Sequence, residues 1–164
     1  MMQMILAVLS GLTFAYMTLC FVTDIRNRFI YAFPCMILMV FWTAMGLMTT
    51  HRVGLIAVIF SVHMAAYLTF KITGMWGDGD SDVFFLYGML FMTSAISGGY
   101  DLSITAYFTA ELIGIIIALL LSFVIGFIEA AIRKKKITKT SSIAVVPGFS
   151  IVMAALLIKM ILAR

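Results

Sequence analysis

Seven carboxylates occur in the 164 residues: Asp24, Asp78, Asp80, Asp82, Asp101, Glu111 and Glu129. Four of them fall in two places. Asp24 follows the first apolar stretch, and Asp78, Asp80 and Asp82 lie in Gly77-Asp78-Gly79-Asp80-Ser81-Asp82, just ahead of the fourth. Two carboxylates brought within hydrogen-bonding reach in a poorly hydrated setting do not both ionise readily, because the second negative charge is repelled by the first. One keeps its proton, the other stays a base, and the pair titrates as a unit. The ionised member can draw a proton from water attacking a peptide carbonyl while the protonated member polarises that carbonyl. This is acid–base peptide hydrolysis, which needs no metal, no cofactor and no covalent intermediate. Gly77 and Gly79 suit such a site, since residues without side chains let the backbone turn tightly and an extended substrate approach closely. The same segment is also what an acidic turn looks like, so its meaning depends on the elements that position it.

Those elements are set by composition. Apolar residues make up 64% and charged residues 11% of the chain, with a mean hydropathy of +1.17. Ordinary soluble domains have roughly 45–50% and about 25%, so a soluble globular domain is excluded, as is a disordered chain. Six apolar runs, at about 2–22, 29–49, 53–70, 83–98, 103–128 and 143–162, predict an all-α integral membrane protein built as a bundle of six transmembrane helices in one polytopic domain over 1–164. About 20 apolar residues at about 1.5 Å each cross a hydrocarbon core about 30 Å thick. The fourth run is short for this, and is expected to begin in a wet cleft. The first has no basic residue before it and no small-residue cleavage site after it, and is read as a retained helix and not a signal peptide.

Basic residues orient the bundle. One set of alternate loops carries Arg26, Arg28, Lys71, Arg133, Lys134, Lys135, Lys136 and Lys139, against Arg52, Lys159 and Arg164 on the other side. Eight against three places the loops after the first, third and fifth helices in the cytoplasm and both termini outside. The run 133–136 is read through this rule and not as a lipid or nucleic-acid patch, so no nucleic-acid partner is expected. Arg26 and Arg28 read first as topology anchors whose stems lie along the bilayer edge, with a place in the site as the sharper alternative. Asp24 and the 77–82 segment then lie at the same, cytoplasmic, depth.

The sequence around the two acidic clusters, Asp24-Ile25-Arg26-Asn27-Arg28-Phe29-Ile30 after a first helix and Gly77-Asp78-Gly79-Asp80 opening a fourth, resembles the aspartic prepilin peptidase family. Its members carry an aspartate followed by basic residues in one motif and GxGD in the other. The Pro147-Gly148-Phe149 segment is similar to the family's proline- and glycine-containing stretch near its last helix. The resemblance implies that Asp24 and Asp80 are catalytic, with Gly77, Asp78 and Gly79 completing the active-site motif. It also implies that the substrate is a prepilin-like membrane protein whose short basic leader lies in the cytoplasm and is cut from its apolar helix. The protein would then sit in the plasma (inner) membrane and serve pilus assembly and secretion. Departures are present: Tyr31 and Ala32 stand where many relatives have proline and asparagine, and Asp82 where many have lysine. The paired CxxC insertion of bifunctional members is absent, so the resemblance is to the short form, related to preflagellin peptidases. Leader lysines offer a role for the additional acids, and Asp78 and Asp82 are candidate leader contacts.

Other polar residues need their own account. Glu111 lies eight residues into the fifth run and His63 ten residues into the third, counted from the same face, which puts them at depths differing by only about 3 Å. An ionisable group there is costly unless paired, so a His63–Glu111 hydrogen bond or ion pair is expected to tie the third helix to the fifth. A proton relay is the alternative. Lys159 is expected to reach the outer interface, and Trp76, Tyr31 and Tyr100 to sit at interfaces. Cys20 and Cys35 are expected to be buried, unpaired thiols. Two readings from other classes remain beside hydrolysis: a small channel or proton-coupled carrier, which calls for functional acids near mid-membrane, and a catalytically silent assembly scaffold.

Overall fold

The protein is described here from a computed structural model, in which residues 2–50, 52–98, 103–134 and 144–162 are described. Lys135, Lys136, Lys139, Tyr100, Asp101, Arg164 and the expected start of the last helix at 143 lie outside them. Six helices account for nearly all of the described chain: α1 (Met2–Asn27), α2 (Ala32–Thr49), α3 (Val53–Thr73), α4 (Asp78–Ser97), α5 (Ile104–Ile132) and α6 (Val146–Leu162). Among the described residues there is no strand. The first, second, third and fifth helices are long and apolar enough to cross a membrane, while α6 is apolar but 17 residues long. Large apolar side chains stand exposed on every side, for example Val8, Phe41, Val62, Ile113, Leu120 and Ile158. A surface of this kind suits lipid as its solvent.

The helices are longer than several of the apolar runs, and for one reason. Hydropathy marks where lipid can end, whereas a helix continues as long as its backbone bonds are made. Thus α1 carries its hydrogen bonding through Asp24 and Arg26, and α3 through Lys71. At its other end α4 does the same, beginning at Asp78 and not at 83. Its first turn holds Asp78 and Asp80, and carboxylates there meet the unpaired N–H groups and the positive end of the helix dipole. The acidic segment is therefore helix and not loop.

Helix α4 lies at the centre, packed against α2, α3 and α6, while α1 packs on α6 and α2, and α5 on α6. It is buried almost without interruption from Ser81 to Leu90. By contrast, α5 buries only Tyr107, Glu111, Ala118 and Ser122 along its 29 residues. Close approach replaces hydrophobic drive between helices in lipid, and Gly148 is the clearest case: a Cβ there would collide with the Ala118 carbonyl oxygen and Ser122. The Gly148 N–H donates to Ser122 Oγ at 3.0 Å, and Ser122 in turn donates to the Val145 carbonyl. On the other side, Trp42 Nε1–H donates to Thr13 Oγ1 at 2.9 Å and Thr93 Oγ1 donates to the Trp42 carbonyl at 2.9 Å, tying α1, α2 and α4. Cys20 and Cys35 are free thiols buried in this core.

Candidate active site

Helix α1 ends three residues after Asp24, at Asn27. The chain then turns through Arg28, whose φ of 55° lies in the left-handed region, and runs through Phe29 and Ile30 to Tyr31 at the start of α2. Tyr16 Oη donates to the Tyr31 carbonyl at 2.9 Å and fixes that connection to α1. On the facing side α3 stops at Gly74, which takes φ 63° to close the helix, and Gly77 is the extended cap of α4. Ser81 N–H and Oγ both bond the Gly77 carbonyl, at 3.0 and 3.1 Å. Gly79 is required for a different reason than substrate access. The Ile30 side chain occupies the space that a Cβ at Gly79 would need, so the α1–α2 connection seats directly on the first turn of α4.

This seating forms a cleft of about 410 Å³ lined by Asp24, Arg28, Phe29, Ile30, Gly77, Asp78, Gly79 and Asp80. Asp24 and Asp80 thus face one space, from α1 and α4, with Asp78 exposed at its edge. Asp24 is 4% exposed, and its Oδ2 has no hydrogen-bond partner. Burying a carboxylate oxygen without a partner is costly, and a second carboxyl carrying a proton is one group that would relieve it. The backbone N–H of Val146, at the start of α6, faces Asp24 as well. Asp80 lies in the acidic first turn of α4, ahead of the apolar stretch that starts at Val83. Burial pushes its carboxyl up to about 6, the Asp24 charge adds to this, and the Gly77 N–H and Arg28 oppose it. A pair of carboxyls that share a half-buried space and disfavour each other's ionisation can hold one proton between them.

Asp82 is placed otherwise than as a leader contact. It is 1% exposed and points away from the cleft, with Oδ1 3.0 Å from Lys71 Nζ of α3. Lys71 also lies 4.8 Å over the Tyr67 ring, and Cys35 Sγ contacts the Asp82 carbonyl at 3.4 Å. A buried carboxylate is tolerated when paired, and Lys71 supplies that partner, so Asp82 joins α3 to α4 and is unavailable to a substrate. Trp76 is half-buried, stacked on Phe70 with ring centroids 4.6 Å apart and edge-on to Phe84 and Phe149, so it packs the α3–α4 turn.

His63 and Glu111 are brought together, Nε2 to Oε1 at 2.7 Å, both buried. They meet across α4 and not by direct packing of α3 on α5. Gly88 of α4 makes this possible, because a Cβ there would overlap the imidazole ring. Tyr87 Oη donates to the Glu111 carbonyl at 3.3 Å beside them.

Two residues belong to the neighbourhood of the cleft although their sequence context points first elsewhere. Arg28 lines it, where the run of basic residues suggests an anchor, and Glu129 of α5 holds Arg28 by an ion pair of 3.1 Å. The signal for Glu129 was its place as an acid one turn before Arg133 at the end of a long apolar run. No protein-family model, no curated protein and no solved structure matches the chain.

Proposed function

We propose that the chain is a membrane aspartic endopeptidase that removes the short basic leader of a prepilin-like membrane protein at the cytoplasmic face of the plasma membrane, with Asp24 and Asp80 as its acid–base dyad. The single observation that carries this reading is that α1 and α4 present these two carboxylates to one half-buried cleft at an end of the bundle. In this reading all six helices lie in the bilayer, both termini are outside, and the cleft opens toward the side rich in basic residues. The ionised carboxylate takes a proton from water as its oxygen bonds the scissile carbonyl carbon. The protonated carboxyl hydrogen-bonds the carbonyl oxygen, and the amine leaves with a proton returned by the dyad. The similarity of the two acidic motifs to aspartic prepilin peptidases supplies the substrate class, and the exposure of Asp78 at the cleft edge supports reading it as the acid that meets a leader lysine.

The test is co-expression with a prepilin whose basic leader ends in glycine before an apolar helix, with the product mass read by spectrometry. Loss of the leader with wild type and not with Asp80→Asn at equal membrane levels is the expected result. An unprocessed substrate with wild type, or processing that persists in the variant, refutes the proposal.

A further inference from the structure

Helix α5 lies against α6 and has little packing with α1, yet at its last turn it is bonded to the end of α1. Glu129 Oε2 accepts from Arg28 Nη2 at 3.1 Å, Glu129 Oε1 lies 3.4 Å from Arg133 Nε, and Arg133 Nη2 donates to the Ile25 carbonyl at 2.8 Å. The Glu129 carboxylate is 12% exposed, against 37% and 36% for the two arginines. Burial of a carboxylate needs compensation, and two guanidiniums give more than one, leaving the cluster with a net positive charge. Its end nearest the dyad is Arg28. That residue sits at φ 55°, a conformation that non-glycine residues rarely take, so contacts and not local preference hold it there. Among the described residues Arg28 is the one cation lining the cleft.

We propose that Glu129 is a positioning residue that holds the Arg28 guanidinium at the lip of the Asp24–Asp80 cleft, where its charge keeps one of the two carboxylates ionised. This rests on the peptidase reading for its catalytic consequence, though not for the electrostatics. Among the described residues, the groups facing the dyad are Cys20 and Arg28 from α1 and its end, Asp78 from α4, Glu129 from α5 and the Val146 N–H from α6, with Arg133 behind, against Glu129. Without a cation held at the lip, both carboxyls would keep their protons to higher pH and the base would be lost.

The test compares wild type, Glu129→Gln, Glu129→Asp and the exchange Arg28→Glu with Glu129→Arg, each purified in detergent. Two readouts are taken against pH: labelling of protonated carboxyls at Asp24 and Asp80 by dicyclohexylcarbodiimide, quantified by peptide mass spectrometry, and kcat/KM on a basic-leader prepilin. In Glu129→Gln the labelling midpoint and the acid limb of activity are expected to move to higher pH by about half a unit or more, and Glu129→Asp to stay near wild type. The exchange keeps an ion pair but puts a carboxylate at the cleft, so it is expected to shift labelling further and not to recover activity. Recovery of wild-type rate and midpoint by the exchange would show a structural tie only. A midpoint that stays fixed or falls in Glu129→Gln would show that Glu129 acts through its own charge or not at all, and either overturns the proposal. Labelling shifts in the variants as expected, with no prepilin cleaved by wild type, would refute the peptidase reading and leave the positioning of Arg28 standing.

Discussion

Replacing Glu111 should separate a hydrogen bond from a charge. His63 Nδ1 lies 2.8 Å from the Ile59 carbonyl, which only accepts, so Nδ1 carries a hydrogen. One proton then lies between Nε2 and Glu111 Oε1, 2.7 Å apart, and the pair is neutral overall whichever atom holds it. Glutamine can donate an N–H to Nε2 in the same place, so Glu111→Gln is expected to cost less than about 1 kcal/mol. Leucine fills similar volume but leaves Nε2 buried and unpartnered. Interhelical hydrogen bonds in membranes contribute about 0.6–1.7 kcal/mol, and an orphaned acceptor about 1–3 kcal/mol, so about 2 kcal/mol is expected for Glu111→Leu. At about 2–4 °C per kcal/mol for a chain of this size, Tm should fall by about 4–8 °C. Cys20 and Cys35, both fully buried, are built-in reporters, since a thiol-reactive coumarin maleimide becomes fluorescent only as they are exposed. Equal losses in Glu111→Gln and Glu111→Leu would refute the neutral-pair reasoning, and no loss in Glu111→Leu would remove the pair from the account of stability.

Further outcomes follow from the same contacts. Gly88→Ala should displace the His63 ring and lower Tm at least as much as Glu111→Leu, and the loss should shrink when His63→Ala is added, measured by the same thiol assay. Gly148→Ala drives a Cβ into the Ala118 carbonyl oxygen and the Ser122 backbone as well as the Ser122 hydroxyl, and backbone does not move aside as a side chain would, so a loss of about 3 kcal/mol or more should show as failure to accumulate monodisperse protein in size-exclusion chromatography. Lys71→Met leaves Asp82 buried without its cation and should cost about 3–5 kcal/mol, with much of it recovered by Asp82→Asn in the double variant. For Asp80, a carboxyl held up to about 6 binds more protons folded than unfolded between about pH 4 and 6. The protein should therefore lose stability as pH rises through that window. Asp80→Asn should flatten that slope and stabilise the protein at pH 7.5 by roughly 1–3 kcal/mol, reduced by solvent at the cleft mouth. An unchanged slope of Tm against pH would contradict the placement of Asp80.

The helix order and the two acidic clusters were legible because lipid imposes a length and a polarity on each segment and leaves charges few places to stand. The pairing of His63 with Glu111 could be anticipated from depth alone, since both are ionisable residues at matched distances from one face. What depth does not encode is rotation about each helix axis. Asp82 follows Asp80 by two residues, and two residues of helix turn a side chain through about 200°, so one acid faces the cleft and the other faces Lys71. A period-blind reading of the acidic segment treats them alike. The start of α4 was likewise hidden, because acidic residues end a hydropathy run but favour a helix N-terminus. Gly88 and Gly148 gave no sign of their partners, which are fixed only once α4 and α6 take their places. The ion pair of Arg28 with Glu129 spans 101 residues and has no local signature beyond the charges themselves.

The most direct test of the central claim is the rate of leader removal by purified wild type, Asp24→Asn, Asp80→Asn and the double variant, reconstituted in one lipid mixture with the same prepilin. Asparagine keeps the shape of each side chain and removes its proton chemistry. Two carboxyls working as one dyad predict that either single substitution abolishes cleavage and that the double variant is no worse. Residual cleavage by both single variants, with a further fall in the double, would contradict the account.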